Sequence, residues 1–209
     1  MIQGVVFDFG GVMTTSTMPQ RVIALVKELG LPWEMILRGF SKYRHQYDGG
    51  FMTLEELYRA TWKDEGLEIE PSVLARFEEA DTASWLYRNE RTLAWMTALK
   101  AEGLKIGILT NMAPEFGRVH FRKSFADFIA LSDAMVISGD EKLFKPQPEI
   151  YNLLQKRIAL QPEELCFIDD IQENIDGAKA CGWNAIRFVS NEQVAADLAQ
   201  LRSVLAKKA

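Results

Sequence analysis

Carboxylates stand at the ends of two apolar runs whose composition is typical of buried strands. Asp8 ends the run at residues 2–7, and the pair Asp169 and Asp170 follows the run at residues 165–168. An unpaired acid gains nothing from burial and two adjacent acids repel one another, so this pattern requires a cation or several hydrogen-bond donors nearby. Mg²⁺, a hard cation that takes oxygen ligands, suits such a set of carboxylates.

Two further apolar runs lead to groups that can bind oxyanions. Thr110 and Asn111 follow the second run, and Lys145 follows the loop after the third. Each residue alone is a weak signal, because threonine and asparagine are common in turns and lysine is usually solvated. Together with the acids they form a coherent set, in which hydroxyl, amide and ammonium groups hold phosphate oxygens while Asp8 attacks phosphorus. We therefore expect a site that transfers a phosphoryl group.

These residues are expected to converge because the apolar runs alternate with helical patterns. Such alternation is typical of an α/β fold with a doubly wound, parallel, Rossmann-like sheet. Sheets of this kind bind ligands at the carboxyl ends of their strands, where all of these residues lie. Strands are predicted at residues 5–7, 105–109, 134–137, 165–168 and 185–189, and helices at residues 20–29, 72–84, 92–101, 149–158, 171–181 and 191–207.

Residues 15–87 interrupt the alternation, since they carry helix signals and almost no strand signals. One of these signals is the capping box from Thr53 to Glu56, which marks the start of a helix. We predict that the interval is a helical cap inserted into the core after the first strand. The predicted core comprises residues 1–14 and 88–209, and the predicted hinges comprise residues 14–17 and 87–90.

The composition of the 209 residues, with 48% hydrophobic and 25% charged residues, is that of an ordinary globular protein. A net charge of −5 disfavours nucleic acid and anionic membrane surfaces as main partners, since both require a basic surface. No apolar run reaches the roughly 18 residues of a membrane span, and no cleavable signal pattern begins the sequence. Cys166 and Cys181 do not form a disulfide framework, which favours a cytoplasmic location. We expect a monomer or a homodimer.

The order of these residues along the chain resembles the four motifs of the haloacid dehalogenase-like (HAD) superfamily. Residues 174–182 also resemble the helix that follows the last motif, so the resemblance spans nearly the whole chain. A helical insertion between the first and second motifs is similar to the helical cap class of this superfamily. The matching residues are Asp8 with Gly11-Val12 behind it, Thr110-Asn111, Lys145-Pro146 and Asp169-Asp170.

The resemblance implies roles for the residues that would contact the phosphoryl group. Asp8 would be the nucleophile that forms an aspartyl-phosphate, and Lys145 would stabilise the charge on both the nucleophile and the phosphate. Thr110, Asn111 and Gly11 would bind the phosphoryl oxygens. The expected reaction is hydrolysis of the phosphate monoester of a small metabolite, with sugar phosphates among the candidates.

The resemblance also implies a Mg²⁺ site. Asp8, Asp170 and the backbone carbonyl of Gly10 would be ligands of the ion. Asp169 would bind the ion either directly or through water, and the sequence leaves both alternatives open.

Gly10 departs from the pattern of most phosphatases in the superfamily, which carry a second aspartate at this position. That aspartate acts as general acid and base, a contribution of about 10²- to 10⁴-fold. Either another group replaces it, turnover is slow, or the leaving group needs little protonation, as in an acyl phosphate or a sugar 1-phosphate. The variant resembles bacterial sugar-phosphatase-like members and the phosphatase half of soluble epoxide hydrolase.

Two other interpretations remain open. The 2-haloacid dehalogenases of the superfamily also lack the second aspartate and displace halide from carbon without a metal. Asp169 and Asp170 disfavour this reaction, because without a cation they would repel an anionic haloacid. A phosphate-binding or regulatory protein that has lost catalysis is the other alternative.

Substrate choice is expected to come from the cap, because the core handles only the phosphoryl group. Arg44 is the candidate for an anion contact. His45 is the candidate for a replacement proton carrier, since the unperturbed pKa of histidine is near 6.5. Both precede Gly49-Gly50, a flexible pair that can bring the backbone close to a ligand.

Overall fold

A sheet of five parallel strands, in the order β3-β2-β1-β4-β5, lies at the centre of the molecule. The structure is a computed structural model that describes residues 1–15 and 19–207. It confirms the doubly wound α/β sheet predicted from the alternation of strands and helices, and β1 lies in the middle because it pairs with both β2 and β4. The strands are β1 (Gly4–Phe7), β2 (Lys105–Thr110), β3 (Ala134–Ile137), β4 (Leu165–Asp169) and β5 (Asn184–Arg187).

Helices surround this sheet, and the predicted ones are present to within a few residues at each end. A π-helical turn at Gly117–Phe121 and a 3-10 turn at Pro162–Glu164 complete the regular structure of the described residues. The α-helices are α1 (Gln20–Glu28), α2 (Trp33–Asp48), α3 (Leu54–Asp64), α4 (Pro71–Ser84), α5 (Glu90–Ala101), α6 (Pro114–Phe116), α7 (Arg122–Ser124), α8 (Ala126–Leu131), α9 (Ser138–Glu141), α10 (Pro148–Ile158), α11 (Gln172–Ala180) and α12 (Asn191–Ala206).

Helix α2 is the longest of the helices that the sequence pattern missed; the others are the short helices α6 to α9. Helix α2 contains Gly39, which lowers the intrinsic helix propensity by about 1 kcal/mol relative to alanine. The glycine is required by packing, because a Cβ at this position would lie 2.1 Å from Thr61 Oγ1 of α3. Contact between the two helices therefore overrides the local preference.

Two smaller boundaries also differ from the prediction. Strand β5 ends at Arg187 rather than at Val189, which is largely exposed. Helix α10 begins at Pro148, one residue before the predicted start at residue 149. The residues just after Arg187 form one loop at the carboxyl edge of the sheet, and the residues between Lys145 and Pro148 form another.

Apolar clusters cover both faces of the sheet, because successive residues of a strand point to opposite sides. Phe7 belongs to one cluster, together with Phe9 and Phe125. Its neighbour Val6 belongs to the other, together with Tyr151. The strands are thereby buried on both sides and present only their ends to a ligand.

Helices α1 to α4, which we call the cap, have an apolar cluster of their own. Tyr58, Trp62 and Phe77 lie in it with ring centroids 4.9–6.3 Å apart. The predicted capping box is present at the start of α3, where Thr53 Oγ1 accepts from Glu56 N and Thr53 N donates to the Glu56 carboxylate. The exact division into a core and a cap at residues 14/15 and 87/88 stays a prediction.

The two chain crossings into the cap lie side by side. Thr14 and Arg88 form an antiparallel bridge, and Thr15 N donates to Tyr87 O over 2.8 Å. The predicted hinge at residues 14–17 lies partly outside the described residues, since these do not include 16–18. On the far side, Ser138 Oγ donates to Asp48 O over 2.6 Å. The cap is thus held over the carboxyl edge of the sheet from two sides.

Within residues 1–15 and 19–207, none of the helices combines the length and apolarity that crossing a bilayer requires.

Candidate active site

The carboxylates of Asp8, Asp169 and Asp170 meet at the carboxyl edge of the sheet. The register of β1 with β4 pairs Phe7 with Ile168, so Asp8 and Asp169 are neighbours, and Asp8 N donates to Ile168 O over 2.9 Å. One carboxylate oxygen from each of the three acids lies within 4.8 Å of the other two. The structure therefore places the acids together, as the sequence predicted.

Lys145 lies between two of these acids and is fully buried. Its Nζ is 2.8 Å from Asp8 Oδ1 and 2.6 Å from Asp169 Oδ2. Burial by itself would lower the pKa of the ammonium group, yet Asp169 and Asp8 keep that pKa above its ordinary value. The lysine is therefore a fixed positive charge beside Asp8.

Asp169 accepts hydrogen bonds on both carboxylate oxygens. Oδ1 accepts from Ile171 N over 2.8 Å and from Asn174 Nδ2 over 3.2 Å. Oδ2 accepts from Lys145 Nζ over 2.6 Å and from Asn174 Nδ2 over 3.0 Å. Because these four bonds occupy most of its lone pairs, the geometry favours a water-mediated contact between Asp169 and a metal over a direct one.

Asn174 was missed as a site residue by the sequence analysis, although it was noted at the start of a helix. It is buried in the first turn of α11, and its Nδ2 donates to both carboxylate oxygens of Asp169. The signal that could have identified Asn174 is its position five residues after Asp169. A helix that begins between the two residues brings the amide within reach of the acid.

The cluster carries more negative than positive charge. Three carboxylates face one ammonium group, which leaves a formal excess of two negative charges that a divalent cation would balance. Burial, with the charges of Asp169 and Asp170 added, raises the pKa of Asp8 to about 7 against the pull of Lys145. Burial and Asp169 raise the pKa of Asp170 to about 6. A divalent cation beside these carboxylates would favour their ionised forms.

The geometry fits Mg²⁺. Ligand bonds of about 2.1 Å place two oxygens on one ion at most about 4.2 Å apart, so small side-chain rotations suffice to bring the oxygens of Asp8 and Asp170 onto a shared ion. Gly10 lines the same cavity as these two acids, which allows its carbonyl to be the third ligand.

Asn111 braces the loop that carries Lys145. Its Nδ2 donates to Lys145 O over 3.0 Å, and its Oδ1 accepts from Lys145 N over 2.8 Å. Asn111 lines the cavity with Asp8, and Thr110 is buried beside it at the end of β2. The structure thus assigns Asn111 a positioning task in addition to the predicted contact with phosphate, which stays a prediction.

Gly11 lies apart from this set. Its backbone adopts a φ of 68°, which favours glycine, and its N–H donates to Thr14 Oγ1 over 3.1 Å. Gly11 does not line the cavity that contains Asp8. Its predicted contact with the phosphoryl group stays a prediction, and it would require the N–H to leave Thr14.

A cavity of about 470 Å³ extends from Asp8 and Lys145 to the cap. Helix α2 lines it with residues that share one face, since they are spaced three, four or seven positions apart. The core contributes the strand-end residues and an apolar wall. The lining residues from α2 are Trp33, Leu37, Phe40, Ser41, Arg44, His45, Tyr47 and Asp48, and those from elsewhere include Asp81, Trp85, Met112, Phe116 and Ile171.

Both cap residues predicted from the sequence, Arg44 and His45, line this cavity. Arg44 Nε donates to both oxygens of Asp48 over 3.0 and 3.1 Å, and the guanidinium lies 5.4 Å from the ring centroid of Trp85. The His45 ring lies 5.5 Å from that of Phe144. The structure brings both residues to the site, and their roles stay predictions.

Trp85 and Asp81 are site residues that the sequence did not indicate. Trp85 Nε1 donates to Asp81 Oδ1 over 3.1 Å, and Tyr58 OH donates to Asp81 Oδ2 over 2.9 Å. The ring fixed in this way covers Gly10, because a Cβ at residue 10 would lie 3.5 Å from Trp85 Cζ3. No local pattern could have shown this contact, because Trp85 follows the last helix of the cap and Gly10 lies in the loop after β1.

Comparison with known proteins finds phosphatases and 2-haloacid dehalogenases among the relatives. The chain is 26% identical to a sesquiterpene phosphatase of Aspergillus oryzae over 197 residues, which cover 94% of each protein. It is 37% identical to (S)-2-haloacid dehalogenase 1 of a Pseudomonas species over 94 residues, which cover 44% of this chain and 39% of the dehalogenase. The match thus spans about two fifths of the length of the dehalogenase but nearly the whole phosphatase.

Solved structures show the same fold. An enzyme of the HAD family from Bacteroides thetaiotaomicron, crystallised in complex with magnesium and inorganic phosphate, superposes with a TM-score of 0.69 at 20% identity. The superposition covers 90% of this chain and 94% of that enzyme. Residues 2–182 match the family of haloacid dehalogenase-like hydrolases. The chain therefore belongs to the haloacid dehalogenase-like hydrolases.

Proposed function

We propose that this hydrolase is a Mg²⁺-dependent phosphatase that acts on phosphate monoesters through an aspartyl-phosphate at Asp8. The observation that carries the proposal is the position of Asp8, which is buried 2.8 Å from Lys145 among three converging acids. A carboxylate beside a fixed ammonium group, with a divalent cation at its other side, is suited to attack an anionic phosphoryl group.

The residues divide the reaction between them. A carboxylate oxygen of Asp8 forms a bond to phosphorus while the bond between phosphorus and the ester oxygen breaks, and the alcohol leaves with a proton that His45 would supply. Water then attacks the aspartyl-phosphate, which releases inorganic phosphate and a proton and restores the Asp8 carboxylate. Lys145 offsets charge on Asp8 and on the transferring group throughout. Mg²⁺, held by Asp8, Asp170 and the carbonyl of Gly10, would supply further positive charge at the phosphoryl oxygens.

The relatives support this proposal. The full-length similarity is to a phosphatase, and the Bacteroides enzyme of the same fold binds magnesium and phosphate. Both cysteines of this chain are unpaired, which supports a reducing, cytoplasmic environment as part of the proposal.

The direct test measures inorganic phosphate released from a panel of phosphate esters. We expect release in the presence of Mg²⁺ and its loss when EDTA removes the ion. Equal release with and without the ion would contradict the metal-dependent mechanism, and no release from any ester would contradict the proposed activity.

Binding of Mg²⁺ is expected to stabilise the fold, because the ion balances acids that the folded chain brings together. At a concentration one hundred times the dissociation constant, the free energy of unfolding should rise by about 2.7 kcal/mol, or about 5–10 °C in melting temperature. Thermal unfolding with and without MgCl₂ measures this effect. Asp170→Asn should lose most of the shift, whereas Asp176→Asn, an exposed acid on α11, should keep it.

The stabilisation by Mg²⁺ is expected to depend on pH. Because the pKa of Asp8 is raised to about 7 and that of Asp170 to about 6, protons occupy these groups in the metal-free protein under mildly acidic conditions. Mg²⁺ must displace those protons below about pH 6 but not at pH 8. The shift in melting temperature should therefore be larger at pH 8 than at pH 5.5, and an equal shift at both pH values would contradict the shared site.

His45 is proposed to carry the proton that the missing second aspartate would otherwise supply. Among the histidines of the described residues, it alone lines the cavity that contains Asp8. His45→Gln is expected to lower kcat for alkyl phosphates by about 10²-fold. His120→Gln, a change outside the cavity, is the control. An unchanged kcat in His45→Gln would assign the proton transfer to another group.

A 2-haloacid dehalogenase is the second candidate. Gly10 and the partial similarity to (S)-2-haloacid dehalogenase 1 favour it. The converging acids disfavour it, because a haloacid is an anion that they would repel and the dehalogenase reaction uses no metal ion to offset their charge. Halide released from 2-chloropropionate in metal-free buffer, without phosphate release from esters, would establish this candidate instead.

A further inference from the structure

The face that α2 presents to the cavity changes its chemical character along the helix. Trp33, Leu37 and Phe40 form the first two turns of this face, and Arg44 and Asp48 form the last two. The charged end belongs to the part of α2 that is fixed to the core through Ser138. The cavity therefore has a polar end and an apolar end.

The charged side chains that the cap contributes to the cavity, Arg44, Asp48 and Asp81, are already paired within the cap. Arg44 Nε donates to Asp48, and both oxygens of Asp81 accept from Tyr58 and Trp85. A sugar needs many hydrogen-bond partners for its hydroxyl groups, and burying those groups without partners is costly. Among the cap residues that line the cavity, this leaves the neutral polar groups of Ser41, His45 and Tyr47 as partners, and so small a number disfavours a sugar as the alcohol part of the substrate.

The rim of the cavity is apolar as well. Leu37 of the cap is 43% exposed and Ile171 of the core is 51% exposed, although both are large hydrophobic residues. Both line the cavity that contains Asp8. Exposed aliphatic side chains around an opening are typical of a site that takes an apolar ligand.

The size of the cavity exceeds what a phosphate group needs. Its volume of about 470 Å³ falls within the range of about 300–1,000 Å³ that is typical of sites for whole small molecules. Met112 and Phe116 of the core face the same space as Trp33 and Phe40 of the cap. The alcohol part of the substrate would therefore lie between apolar walls.

We propose that the substrate is the phosphate monoester of a hydrocarbon alcohol, whose chain lies along Trp33, Leu37 and Phe40 while its phosphate lies at Asp8. This inference rests on the proposed phosphatase function and replaces the sugar phosphate with an apolar ester. The product is then a free hydrophobic alcohol, and the substrate comes from a reaction that phosphorylates such an alcohol or cleaves its diphosphate.

The test compares ethyl, butyl, hexyl and octyl phosphate with glucose 6-phosphate and glucose 1-phosphate, all below the concentrations at which micelles form. The value of kcat/KM should rise by about 10²-fold or more from ethyl to octyl phosphate, within the limit of about fourfold per methylene that full burial allows. Both sugar phosphates should be poorer substrates than octyl phosphate. A flat dependence on chain length, or a preference for a sugar phosphate, would overturn the inference.

A matched pair of variants tests where the hydrocarbon chain of the substrate lies. Leu37→Gln should lower the octyl-to-ethyl ratio of kcat/KM by about tenfold, because it places an amide where the hydrocarbon lies. Leu67→Gln changes a leucine of the cap that is 50% exposed but lies outside the cavity, so the ratio should stay at the wild-type value. Equal ratios in the two variants would contradict the proposed position of the chain.

A binding measurement separates this inference from the proposed activity. Ethyl- and octylphosphonate, which cannot be hydrolysed, are titrated into the protein with Mg²⁺ in a calorimeter. Octylphosphonate should bind at least about 10²-fold more tightly. If no ester is hydrolysed but the octyl compound binds more tightly, the catalytic proposal fails and the apolar site stands. If esters are hydrolysed but the length of the hydrocarbon chain affects neither rate nor binding, the apolar site is contradicted and the proposed phosphatase activity stands.

Discussion

Asp8→Asn is expected to lower the rate of phosphate release by about 10⁴-fold or more, the largest effect of any single change at this site. The amide of asparagine is neutral and does not form the covalent bond to phosphorus. It remains able to accept the hydrogen bond from Lys145 Nζ, which lies 2.8 Å from Asp8 Oδ1. The measurement is release of inorganic phosphate from octyl phosphate under single-turnover conditions.

The same variant tests whether the loss is chemical rather than structural. Burial raises the pKa of Asp8 to about 7, so at pH 8 the metal-free folded protein holds an ionised carboxylate at a cost in stability. Asp8→Asn removes that cost and should unfold at an equal or higher temperature than the wild type in EDTA. A variant that melts at this temperature and keeps more than about one hundredth of the wild-type rate would exclude Asp8 as the nucleophile.

In the His45→Gln background, Gly10→Asp is expected to raise kcat for alkyl phosphates by about 10²- to 10⁴-fold, because it restores a general acid and base two residues after the nucleophile. The structure has room for the start of this side chain. Among the described residues, a Cβ at residue 10 meets only Trp85 Cζ3 within 4 Å, at an ordinary contact distance of 3.5 Å. The φ of Gly10 lies outside the left-handed region, so the substitution is not strained.

Gly10→Asn is the matched control, since it has the same shape but does not exchange a proton. It should give no gain in kcat. The gain from Gly10→Asp should also be smaller for p-nitrophenyl phosphate than for octyl phosphate, because p-nitrophenolate leaves without needing a proton. A folded Gly10→Asp variant with unchanged rates would mean that proton transfer does not limit turnover or that Trp85 prevents the carboxyl from reaching the leaving group.

The sheet could be predicted from the sequence because its signals are local. Runs such as Leu165–Asp169 are apolar throughout, as expected for strands covered on both faces, and helical periodicity separates them. The capping box at Thr53 marked the start of α3 for the same reason, since its partners lie three residues apart. Helix α2 was not predicted because Gly39 locally disfavours a helix. The packing against Thr61 of α3 that requires this glycine is not visible in the local sequence.

The sequence by itself determined which polar groups meet at the sheet edge. Asp8, Lys145 and Asp169 follow strands of one parallel sheet, and parallel strands bring their carboxyl ends to the same side. The positions of these residues after apolar runs were therefore sufficient to place a carboxylate, an ammonium group and paired acids in one cluster.

Only the tertiary structure decided what surrounds that cluster. The position of Trp85 over Gly10, the hydrogen bonds of Asn174 to Asp169 and the apolar face of α2 all depend on how the cap and the helices pack against the sheet. These contacts join residues that are distant in the sequence or belong to an element that was not predicted. The polar groups of the site are thus encoded at the strand ends, whereas the shape and lining of the cavity arise from packing, because the cap and the core each supply one wall.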